Sequence, residues 1–192
     1  MTGDESGASG NHLDIIVPAN SAITQLSELR GHSLVCTVPS SITGYRAAIV
    51  MLLSDQGLRP NVDYMVTWSL GQKKSITGVA DRSYEAAAIS DDKLKSLLDK
   101  GEVNQSQYHV LYQSGVIPST TIGWFYNLNP KLAEQIRDAI LSFSPTTSPD
   151  GGTPMRFLAV DYKKDFQTVR QIDDQFDPRL DSKTKGSEKE AS

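Results

Sequence analysis

Only one cysteine, Cys36, occurs in 192 residues, so no disulfide can form within the chain. That leaves the redox compartment open, because many exported proteins carry no disulfide. No stretch approaches the roughly 20 consecutive apolar residues of a membrane span. A basic excess is missing too: the formal net charge is −4, which argues against a general nucleic-acid binder. The opening MTGDESGASGN has no basic n-region and no apolar h-region, so no signal peptide is read in it. His12, His32 and His109 share no metal-ligand spacing, and GxSxG, HExxH, CxxC and the Walker-type phosphate loop do not occur. Cys36 sits inside an apolar run, as a small buried hydrophobe would. The expectation is a non-enzymatic protein without metal or cofactor.

What is present suits one well-buried domain: 38% hydrophobic and 22% charged residues. Residues 1–11 lack any large apolar side chain after the initiating Met and are expected to be disordered; the charged stretch 173–192 is expected to be a mobile tail. Between them, over 12–172, strand and helix patterns alternate. LDIIV (13–17), SLVCTV (33–38), YMVTW (64–68), YEAAAI (84–89), YHVLYQ (108–113), TTIGWFY (120–126) and RFLAV (156–160) read as strands. The alanines of 84–89 would suit a helix equally. Tyr45, Ala48, Ile49, Leu52 and Leu53 mark one helix face that Gly57 stops. Further helices are expected over 72–80, after Ser90, from Asn129-Pro130, and over 163–172. The alternation predicts an α/β fold, with a mostly parallel sheet and helices on both faces. Ligands of such folds gather where strands end and helices begin, so the loops 38–45, 68–73, 89–92 and 117–123 are the candidates.

In VPSSITGYRAA (38–48), four small or hydroxylated residues precede a helix. A helix start offers free amide hydrogens and a partial positive charge, both favourable to an anion. Ser41 and Thr43 would add hydroxyl donors, and Gly44 a close backbone approach. The other reading is a plain N-cap at Ser40 or Ser41, contributing about 1 kcal/mol.

The segment LRGHSLVCTVPSSITGYRAAIVML resembles the binding-turn region of phosphate/phosphite/phosphonate ABC-transporter substrate-binding proteins, which are type II periplasmic binding proteins. The likeness continues through SITGVADRSYEAAAIS, GVIPSTTIGWFYNLNPKLAEQIRDAILSF and RFLAVDYKKDFQTVRQI, covering about 12–172 in order. It implies one lobe of a two-lobed α/β protein that binds a small oxyanion (phosphonate, phosphate or phosphite) outside the cytoplasm and delivers it to an ABC permease. The family's turn holds its ligand with Ser-Thr-Ser hydroxyls and amides. Ser41 and Thr43 keep the first and third hydroxyls; Ile42 replaces the middle one. Gly44 and Tyr45 complete the turn. Gln72 stands where the family commonly has an oxyanion-donating histidine, followed by Lys73 and Lys74, which would attract an anion or be solvated helix lysines. Ser90 and Asp91 fall where relatives contact the rest of the ligand, and would serve equally as N-cap and first-turn acid. Thr120 and Thr121 keep a hydroxyl pair near the cleft, or cap their loop. The family's complete first lobe does not precede His12, which implies a missing first lobe or a homodimer. The rival reading, favoured by Ile42 and Gln72, is a sensory or interaction domain that kept the fold and lost its ligand.

Overall fold

The computed structural model describes residues 2–3, 9–118, 121–143 and 156–177. In chain order the strands are β1 (Thr2–Gly3), β2 (Leu13–Pro18), β3 (Ser33–Cys36), β4 (Met65–Trp68), β5 (Ala87–Ser90), β6 (Tyr108–Gln113) and β7 (Arg156–Phe157). The α-helices are α1 (Ala47–Gln56), α2 (Gln72–Ala80), α3 (Asp91–Asp99), α4 (Pro130–Ser142), α5 (Tyr162–Asp165) and α6 (Gln167–Gln175). The chain divides into two compact units, 12–115 with 169–192, and 1–11 with 116–168.

The first of these units is built on a five-stranded sheet of order β4-β3-β5-β2-β6. β3 runs parallel to β4 and β5, while β2 runs antiparallel to β5 and β6. The α/β class follows the expectation, and the sheet is mixed because β2 enters from the opposite direction. Side chains alternate across a strand, so Ile16, Val35, Ala87 and Ile89 share one face. They form a core with Ile76 and Val79 of α2 and Leu94 and Leu97 of α3. α1 lies against β2 and buries Ala48, Ile49 and Leu52. It ends where Gly57 takes a left-handed φ of 64°, a conformation that costs glycine no steric strain. The 84–89 ambiguity resolves to strand, since Ala86 to Ile89 are fully buried between neighbours.

Two terminal expectations need correction. Thr2 and Gly3 lie within the segment expected to be disordered, yet pair with Phe157 and Arg156. Asn11 likewise exchanges hydrogen bonds with Ile117, both at 2.8 Å. At the other end, α6 continues to Gln175, and Phe176 packs against Tyr45. A charge-rich composition reads as mobile only while no partner is in view, and these partners lie more than a hundred residues away in sequence.

In the other unit, Asn129 caps α4, accepting from the amides of Lys131 and Leu132, with Pro130 at the first helical position as expected. The predicted strand 120–126 is not found: 121–126 is irregular, and Phe125 and Tyr126 are 84% and 99% exposed. A β-type sequence becomes a strand only beside another, and no strand pairs with it among the described residues. RFLAV shortens to β7 for the same reason.

Candidate functional site

β3, β4 and β5 are parallel, so they end at the same edge of the sheet, and each hands over there to a helix. Hydrogen bonds knit the three hand-overs together: Leu70 N–H donates to the Thr37 carbonyl at 3.0 Å, and Ser90 N–H donates to Gln72 Oε1 at 3.0 Å. Three of the four loops singled out from sequence therefore converge.

After β3 the backbone forms a π-helical turn, Ile42–Arg46, that runs directly into α1. Arg46 N–H reaches back five residues to the Ser41 carbonyl at 3.0 Å, a wider ring than an α-helix makes. Ser41, in extended backbone, is the N-cap: its Oγ accepts from the Gly44 amide at 2.9 Å. A hydroxyl that accepts still has its hydrogen to donate. Among the described residues, the amide hydrogens of Ile42 and Thr43 find no protein acceptor. They are the open donors of this helix start.

Gly44 and Tyr45 have another place. Gly44 is buried, and a Cβ there would lie 2.2 Å from Thr37 Oγ1 and 2.8 Å from Ser41 Oγ. Its lack of a side chain lets the turn close onto the end of β3, with Thr37 N–H donating to the Gly44 carbonyl at 3.0 Å. Tyr45 is also buried, its ring edge-on to Trp68 at 4.7 Å and to Phe176 at 5.5 Å. It anchors the turn in the core. Thr37 went unnoticed in the sequence, where it read as one more β-branched strand residue. Its hydroxyl is buried beside Gly44 without a hydrogen-bond partner among the described residues.

Gln72 opens α2. With Oε1 committed to the Ser90 amide, its Nε2 is the atom left to donate. Ser69 and Ser75, also overlooked, meet hydroxyl to hydroxyl at 2.6 Å and hold the turn between β4 and α2. Lys73 is a solvated surface lysine, ion-paired with Glu102.

The start of α3 is filled from within. Ser90 stands at the N-cap position, but its hydroxyl donates to Asp92 Oδ1 at 2.5 Å. Asp91 Oδ1 accepts from the amides of Asp92 and His12, each at 2.8 Å, and Oδ2 faces His12 Nδ1 at 2.8 Å. These carboxylates supply the negative charge that the helix dipole favours. Nearby Asp14 is buried, and that burial pushes its carboxyl above the usual range; the hydrogen bond from Gln113 Nε2 (2.9 Å) opposes the shift and the charge of Asp91 adds to it.

Thr121 belongs to the other unit, where it lines an apolar cavity of about 460 Å³ with Trp124, Ile136, Ile140 and Val160. Thr120 lies outside the described residues.

The family model described as "ABC transporter, phosphonate, periplasmic substrate-binding protein" matches residues 1–172. The chain belongs to this family. Solved structures agree in fold. XAC2383 from Xanthomonas citri, solved bound to ATP and also bound to chloride, superposes in the ATP form with a TM-score of 0.67. Identity is 19%, over 92% of this chain and 72% of that one. A binding-protein component of an ABC phosphonate transporter (PA3383) from Pseudomonas aeruginosa gives 0.62 at 14%, over 97% and 73%. PhnD1 from Prochlorococcus marinus (MIT 9301), in complex with methylphosphonate, gives 0.61 at 12%, over 85% and 65%. At these identities the likeness speaks for the fold. No curated protein matches the chain in sequence. The family is one of periplasmic substrate-binding proteins of ABC transporters, which supports solute binding. Among the described residues no helix is long and apolar enough to cross a membrane.

Proposed function

We propose that this phosphonate-family chain binds a small oxyanion, phosphonate, phosphate or phosphite, outside the cytoplasm for delivery to an ABC permease. The open amides of Ile42 and Thr43, at the head of a continuous helix, carry the reading. Ser41 and Thr43 hydroxyls and Gln72 Nε2 are the side-chain donors within the same set of hand-overs. Binding would be reversible and without covalent chemistry. Each hydrogen bond to a charged oxygen contributes about 1.5–3 kcal/mol, and together they must also offset the freedom the anion loses on binding.

Titration calorimetry with phosphate, methylphosphonate and 2-aminoethylphosphonate tests the proposal. Saturable heat with at least one of them, weakened about tenfold by Thr43→Ala, is the expected result. The absence of heat with all three at millimolar ligand overturns it and favours the second reading, a sensory or interaction domain. Two observations support that alternative: Ile42 has no hydroxyl to offer, and the start of α3 is occupied by its own carboxylates.

A further inference from the structure

The turn after β3 is braced by a part of the chain far away in sequence. Arg46, its last residue, ties the leaving limb to the entering one twice: its backbone amide donates to the Ser41 carbonyl at 3.0 Å, and its Nε to the Pro39 carbonyl at 3.3 Å. The guanidinium then reaches the C-terminal helix. Nη1 donates to Asp173 Oδ1 at 2.9 Å, and the group lies 5.4 Å over the Phe176 ring. Phe176, one turn beyond Asp173, packs edge-on against Tyr45 as well. Arg46 and Tyr45, consecutive residues of the turn, are thus both gripped by the end of α6.

A planar guanidinium held at one edge by a carboxylate and on one face by a ring has few orientations left. That fixes the direction of Nε toward Pro39, and with it the separation of the turn's two limbs. The amides of Ile42 and Thr43 lie between those limbs in sequence. We propose that Arg46 is a positioning residue for the oxyanion turn, held in place by Asp173 and Phe176. The end of α6 thereby sets the affinity of the turn through Arg46. This inference rests on the oxyanion reading above.

The test pairs methylphosphonate calorimetry with amide exchange at Gly44 and Arg46, whose hydrogen bonds to Ser41 close the turn, for the wild type, Asp173→Asn, Asp173→Glu and Phe176→Leu. An exposed ion pair contributes little to global stability, so the folded protein should persist in both Asp173 variants. Asp173→Asn is expected to weaken binding about fivefold and to speed exchange at both amides, at an unchanged melting temperature. Asp173→Glu, which keeps the charge, is expected to restore both, and Phe176→Leu to act in the same direction as Asp173→Asn. Wild-type affinity together with wild-type exchange in Asp173→Asn overturns the inference. If the wild type binds no oxyanion, the functional reading falls, and exchange alone decides the bracing: faster in Asp173→Asn supports it, unchanged overturns it.

Discussion

At the scale of single residues, the turn after β3 divides its labour by burial. Gly44 and Tyr45 face inward and fix the backbone, whereas Ser41, Ile42 and Thr43 are partly exposed and free to meet a ligand. Ile42 is the position where the proposed site is poorest, since its side chain can neither donate nor accept. Ile42→Thr restores a hydroxyl beside an open amide. It is expected to tighten methylphosphonate binding up to about tenfold, one hydrogen bond to a charged group. Calorimetry on the purified variant checks this, and unchanged or weaker affinity would place the anion elsewhere.

The element that matters most is the hand-over from β3 to α1. An ordinary α-helical start would bring Arg46 N–H to the Ile42 carbonyl; here it reaches Ser41 instead. The wider turn closes because Gly44 sits against Thr37 with no Cβ between them. Gly44→Ala places a methyl group within 2.2 Å of Thr37 Oγ1, and the short, buried threonine has nowhere to go. The expected outcome is a loss of about 1–3 kcal/mol in urea unfolding, together with loss of oxyanion binding. A variant that kept full stability would mean that the turn can open without strain. The start of α3 offers the contrast: Asp91 and Asp92 already hold its charge, and this leaves the β3–α1 and β4–α2 hand-overs to an anion.

For the molecule as a whole, two compact units lie on one chain that passes between them at 11/12, 115/116 and 168/169. The proposed oxyanion turn and its brace belong entirely to the unit formed by 12–115 and 169–192. A ligand that binds only the native state stabilises it by about 2.7 kcal/mol at a hundredfold excess over Kd. Scanning calorimetry with and without methylphosphonate is therefore expected to show this unit's transition moving upward. The transition of the unit containing α4 should stay in place. Equal shifts of both transitions, or a single one, would mean that the units unfold together.

Much of this was legible in the sequence because it depends on near neighbours. The period of the apolar residues marked α1, Gly57 and Asn129-Pro130 marked helix ends, and the family's motifs picked out the turn at Ser41–Tyr45. The misreadings share a cause. TTIGWFY has the composition of a strand but finds no strand to pair with among the described residues. Residues 2–3 and 173–176 look too polar to be placed, yet find β7 and Arg46. Alternation and capping act over a few residues, and the order of the chain specifies them. Whether Gly44 faces a ligand or Thr37, and whether Asp91 is offered to a guest or taken by His12, is decided by groups brought together across the sheet. Only the packed fold sets those distances, because hydrogen bonds and steric contact act over a few ångströms in space, whatever the separation along the chain.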